Sequence, residues 1–171
     1  MRYPILLTAA ALTLSACDSA PVANNTVAEA PAAPAGPAFA TTGDQAVALI
    51  ESLGAPWAGG TRKDGMRDAK TGGTVSTITA SGGSAQVFAW PGGAVWQVRV
   101  IAGGASGCGD IAQVRAVLPK LLEGVAAKPT PAQLAAISDD LNDPKTSDHA
   151  LTAAKVSVVG GCRLWVTATA A

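Results

Sequence analysis

His149 is the single histidine of the chain and stands directly after Asp148, so any general-base, nucleophile-activating or histidine-ligated chemistry must pass through this pair. Paired with a serine it would make a hydrolase. No G-x-S-x-G or comparable nucleophile setting exists to serve it, and its polar surroundings predict an exposed ring on a loop. A second cluster, Asp139, Asp140, Asn142 and Asp143 with Asp148, has oxygens enough to raise calcium. Counted as an EF-hand from Asp140, it puts Lys145 where the turn glycine belongs and Leu151 where the bidentate glutamate belongs, so a helix end followed by a solvated loop is expected instead. The glycine run 103–109 raises phosphate binding, because bare amides at a helix start attract anions. Its order is not G-x-G-x-x-G, no Lys-Ser/Thr follows, and Asp110 already stands at the positive helix end. We therefore expect no catalytic residue, no metal and no cofactor. The remaining chemistry is recognition: Gln86, Phe88, Trp90, Gln97, Arg99, Arg163 and Trp165 fall where strand residues could share one face, and Trp with Arg is the composition of interaction hot spots. Trp90, Arg99, Arg163 and Trp165 are the candidate binding face.

The compartment is set by the N-terminus. Arg2 precedes an apolar run from Ile5 to Leu14, the length of a secretory signal core and too short for a permanent span, and Leu14-Ser15-Ala16-Cys17 closes it. This stretch resembles the lipobox of bacterial lipoproteins. The resemblance covers only the first 17 residues, and it implies that residues 1–16 are a signal peptide and that Cys17 becomes the acylated first residue of a membrane-anchored protein. Asp18 resembles the retention signal of enterobacterial lipoproteins, which favours the inner membrane over the outer. Residues 17–40 read as a tether: Pro21, Pro31, Pro34 and Pro37 interrupt a stretch of Ala and small polar residues with only Asp18 and Glu29 charged, so disorder with polyproline character is expected. A single domain of about 130 residues, 41–171, would then face the periplasm.

With Cys17 taken by lipid, the other two cysteines, Cys108 and Cys162, are expected to pair in an oxidising compartment, stabilising by about 4 kcal/mol. A redox or metal pair would want a CxxC or more histidine. Apart from Arg2, 11 Lys and Arg face 12 Asp and Glu, a net charge of −1, and no basic stripe appears, which argues against nucleic acid as a partner.

Supporting elements follow from local signals. Thr42 and Gln45 have capping-box spacing ahead of an apolar stripe (Ala46, Val47, Leu49, Ile50, Leu53) that Gly54 and Pro56 end, predicting a helix of about eleven residues. The charged stretch 57–73 reads as a solvated loop. Three strands are expected over 74–80, 85–90 and 94–102, joined by tight glycine turns and therefore antiparallel, with Trp96, Val98 and Val100 pointing one way and Gln97 and Arg99 the other. Ile111, Val114, Leu118, Leu121 and Leu122 make an amphipathic segment that Pro119 should kink or split. Thr130-Pro131-Ala132-Gln133 caps another helix with Leu134, Ile137 and Leu141 on its stripe, and a hairpin of 155–159 with 162–168 closes the chain. The fold class is α+β: a two-layer sandwich with helices on one face of a mostly antiparallel sheet of about five strands. The function this supports is an acyl-anchored envelope module, non-enzymatic, that meets a protein or glycan partner beside the lipid bilayer, with an envelope hydrolase using His149 as the alternative.

Overall fold

A computed structural model describes residues 36–103 and 108–169. The signal, the lipobox and residues 17–35 of the tether lie outside the described residues. The elements in order are α1 (Gly43–Ser52), β1 (Thr61–Arg67), β2 (Thr74–Ala80), β3 (Gly83–Ala89), β4 (Val95–Ala102), α2 (Ile111–Gly124), α3 (Pro131–Asp140), β5 (Ser147–Ala150), β6 (Ala154–Val159) and β7 (Arg163–Ala168). The strands form one antiparallel sheet in the order β1-β2-β3-β4-β7-β6-β5. The class is α+β as expected, and the sheet has seven strands rather than about five.

Both additional strands lie at the sheet edges. β1 occupies the stretch expected to be a loop: all seven of its residues are exposed, and its pairing with β2 is interrupted between Lys63 and Met66, where Gly65 takes a left-handed φ of 66°. Charged side chains and a bulge are what keep an exposed edge from pairing with another chain. They also erase the alternation by which a strand is read. β5 is four polar-rich residues long and lies in the stretch expected to be a loop around His149.

The helices form where their caps predict. Thr42 and Gln45, and Thr130 and Gln133, each exchange both capping-box hydrogen bonds. Pro119 does not split its helix; α2 is one element of 14 residues. The proline lies on the exposed side, so the carbonyl its missing N–H leaves free, that of Arg115, can be solvated.

One buried cluster unites Ala46, Val47 and Ile50 of α1, Val114, Leu118, Leu121 and Leu122 of α2 and Ile137 of α3 with alternate strand residues, among them Ile78, Val87, Val98, Val100, Val156, Val158, Leu164 and Val166. α1 contacts β2 and β3, and α3 contacts β5 and β6. Val75 and Phe88, each 9% exposed, are buried outside this cluster, on the opposite face of the sheet. The packed body begins before residue 41: Phe39 is in the core and its N–H donates to the Val95 carbonyl at 2.7 Å.

Cys108 and Cys162 are joined by a disulfide with Cα atoms 5.3 Å apart, tying the segment before α2 to the β6–β7 turn. Ala102 N–H also donates to the Cys162 carbonyl at 2.9 Å, so the covalent tie and the sheet reinforce one junction. No helix among the described residues is long and apolar enough to cross a membrane.

Candidate functional site

The sheet register explains how dispersed residues come together on the face opposite the core cluster. Lys63 pairs with Thr77, Thr77 with Gln86, Gln86 with Arg99, Arg99 with Trp165, Trp165 with Ser157 and Ser157 with Asp148, a single cross-strand row over all seven strands. Directly paired residues share a face of the sheet. The adjacent row runs Met66, Val75, Phe88, Gln97, Thr167, Lys155 and Ala150.

Arg99 is the centre of this face. Its guanidinium carbon lies 4.4 Å from the Phe88 ring centroid and 4.9 Å from that of Trp165, and its Nε donates to Gln97 Oε1 at 2.6 Å. Gln97, 6% exposed, passes the chain on by donating from Nε2 to Thr167 Oγ1 at 2.8 Å. The arrangement holds a planar cation between rings while one hydrogen bond to Gln97, itself anchored on Thr167, fixes its rotation. Burial pushes the guanidinium down from its ordinary value, and the charge of Asp68 opposes this. No carboxylate among the described residues forms a salt bridge with Arg99, so its terminal nitrogens keep donors free for a partner.

Two more tryptophans extend the row. Trp96 lies 5.5 Å from Phe88 and 5.4 Å from Trp90, ring centroid to centroid, with the indoles of Trp90 and Trp96 stacked at 30°. Trp96 was expected to share a face with Val98. The pairing of β3 with β4 shifts register between Phe88 and Ala89, which pair with Gln97 and Val95; this bulge keeps Val95 and Val98 in the core and turns Trp96 to the other face. Three of the four tryptophans therefore lie here, while Trp57 is buried in the core. The indole Nε1 of Trp96 and the hydroxyl of Thr77 are both buried without a hydrogen-bond partner among the described residues.

Of the four residues singled out from sequence, Trp90, Arg99 and Trp165 belong to this constellation. Arg163 is on the same face, paired with Ile101 and Val159, but stands exposed one row beyond the rings and lines a shallow pocket with Ser84 and Ile101 instead. Lys63, Arg99, Lys155 and Arg163 outnumber Asp148 and nearby Asp68, so the face carries excess positive charge in a chain with none overall.

His149 is not on a loop and not beside its expected acid. It sits on β5 with its side chain 17% exposed, and its Nε2 is 2.7 Å from Oδ2 of Asp140 at the end of α3. The strand turns Asp148 to the opposite face, where it accepts from Ser157 Oγ and pairs with Lys155 Nζ at 3.4 Å. The Ser147 hydroxyl, set beside Asp140 without a full hydrogen bond, and the His149 ring hold the Asp140 carboxyl below the usual carboxylate range. Here the acid lies between serine and histidine. A nucleophile needs the histidine in the middle to receive its proton, so this geometry clasps α3 to β5 and does not activate Ser147. Asp143 accepts from the Lys145 N–H in a local turn, and Asp110 caps α2 by accepting from the Ala112 N–H. Among the described residues no group of three or more His, Cys, Asp or Glu side chains is placed to hold a metal.

Compared with protein-family models, with curated proteins and with solved structures, the chain matches none.

Proposed function

We propose that this chain is a membrane-anchored lipoprotein of the bacterial envelope whose globular part is a non-enzymatic binding module, working through the sheet face that carries Arg99. The observation that carries the reading is Arg99 itself, held between Phe88 and Trp165 with no salt bridge among the described residues and Asp68 acting on it only at longer range. Aromatic rings and a preorganised guanidinium concentrate binding energy in a small area, and rotamer entropy is already lost before a partner arrives. On this reading the domain is a two-layer sandwich, with α1, α2 and α3 on one face and no helix among the described residues on the face of Arg99. The partner is an envelope protein or a glycan; the excess positive charge favours one bearing carboxylates or other anions. The anchor is Cys17, acylated after removal of residues 1–16, with residues 17–35 spanning from bilayer to domain and Asp18 favouring the inner membrane.

The test is an in vivo crosslink and affinity pull-down from native membranes with the native chain and an Arg99→Ala, Arg163→Ala, Trp165→Ala variant. A partner enriched by the native chain and lost with the variant supports the reading, whereas an unchanged set of partners removes it. The anchor is tested by Cys17→Ser, which should move the protein out of the membrane fraction. The hydrolase reading through His149 gains nothing from the geometry, because the ring meets Asp140 and no hydroxyl among the described residues hydrogen-bonds to it.

A further inference from the structure

Where the N-terminal lead-in joins the body, it lies on the aromatic row. Trp90 Nε1 donates to the Pro37 carbonyl at 3.0 Å. Gly36 is close enough to the same indole that a Cβ there would sit 2.9 Å from its Cζ2, so the backbone packs closely against the ring. From Trp90 the row continues to Trp96, Phe88 and Arg99 in steps of 5.4, 5.5 and 4.4 Å.

The sequence just upstream has the matching periodicity. Pro31, Pro34 and Pro37 are spaced three apart, and polyproline II has three residues per turn, so all three share one edge of such a helix. Prolines on one edge of a stiff, preformed helix are what aromatic grooves bind at little entropic cost. At ~3.1 Å per residue, the six residues from Pro31 to Pro37 extend ~19 Å, enough to pass Trp96 and Phe88. Glu29, the only charged residue between Asp18 and the body, is within reach of Arg99, which forms no salt bridge among the described residues and feels Asp68 only at longer range.

We infer that residues 29–35 dock on this face as a polyproline II strap, with Pro34 and Pro31 following Pro37 along Trp90 and Trp96 and the Glu29 carboxylate meeting Arg99. The strap is the resting occupant of the face, and an external partner competes with it. The inference concerns the same face as the proposed function but does not need an external partner to exist.

The experiment is ¹⁵N NMR of the four indole N–H groups in the mature chain, comparing native protein with a Pro31→Gly, Pro34→Gly variant and with Glu29→Gln. The expected result is that the Trp96 and Trp165 resonances move in the proline variant, that Glu29→Gln moves Trp165, and that Trp57 stays fixed as the reporter of an intact core. Addition of a synthetic peptide of residues 29–37 should return the proline variant toward the native positions, and the native shifts should not depend on protein concentration. Trp96 and Trp165 resonances unmoved by all three substitutions would overturn the inference, as would shifts that scale with concentration, which belong to contact between copies. A strap detected here while no external partner is found leaves the two readings separate.

Discussion

Arg99 and Trp165 face each other across the β4–β7 pair, with the guanidinium carbon 4.9 Å from the indole centroid. The contact joins two strands more than sixty residues apart in sequence order, and it is completed from the β3 side by Phe88. Replacing Arg99 by Ala should cost about 1–3 kcal/mol, since it removes two cation–π contacts and strands the buried Gln97 oxygen. Trp165 emission should change at the same time. Arg99→Lys should recover part of the stability and little of the indole environment, because an ammonium lacks the planar fork. Denaturant titration with tryptophan fluorescence measures both; an alanine variant indistinguishable from the native chain in both would contradict the geometry.

The Cys108–Cys162 bridge closes a separation of 54 residues. Chain entropy assigns such a bridge about 4 kcal/mol. Reduction, or the double Cys→Ser variant, should lower the urea midpoint by a corresponding amount with the far-UV spectrum below the transition unchanged. A midpoint shift under about a quarter of that figure would mean that the Ala102–Cys162 backbone bond and the sheet hold the junction unaided.

Acid should loosen the β5 edge. The hydroxyl of Ser147 and the ring of His149 hold the Asp140 carboxyl low, and the hydroxyl of Ser157 holds that of Asp148 low. In the unfolded chain both return to the ordinary value near 4, so on acidification the unfolded state takes up protons first. Their stabilisation is therefore complete above that value and is lost as pH falls through the lower folded values. Asp140→Asn and Ser157→Ala should each flatten the acid limb of stability against pH. An unaltered limb in both would show that the edge contributes nothing to it.

Gly83 is fixed by close packing. A Cβ at this position would lie 2.3 Å from the Ile101 carbonyl oxygen, which belongs to the neighbouring strand and cannot swing aside as a side chain would. Gly83→Ala should destabilise by about 1–3 kcal/mol, read as a fall in thermal midpoint, while Gly65→Ala, with open space around it but φ of 66°, should cost less. Equal midpoints for native and Gly83→Ala would be incompatible with this packing.

Much of the fold is legible where chemistry is local. Thr42 with Gln45, and Thr130 with Gln133, announce their helices because a capping box is a contact between residues three apart. Ser81-Gly82-Gly83-Ser84 announces a hairpin by its composition, and Gly160-Gly161 does so because both residues take a left-handed φ, 58° and 72°. β1 is hidden because Arg62, Lys63, Asp64 and Arg67 protect an edge, and edge protection looks like a loop. Trp96 is misplaced by a bulge that no local pattern marks, although its stacking on Trp90 makes it part of the site. His149 meets Asp140 rather than Asp148 because adjacent strand residues point to opposite faces, which requires knowing that β5 is a strand. Cys108 and Cys162 pair as counting suggests, since they are the only cysteines of the chain besides Cys17.

If partners meet the face bearing Arg99, they must come within reach of side chains beside it. A photo-crosslinking amino acid placed at Gln86, beside Arg99 in the cross-strand row, and separately at Lys120 on the exposed side of α2, tests this by irradiation in cells and identification of adducts by mass spectrometry. The expected result is a defined adduct from position 86 that is absent from position 120. Equal adducts from both positions, or one from position 120 alone, would contradict it.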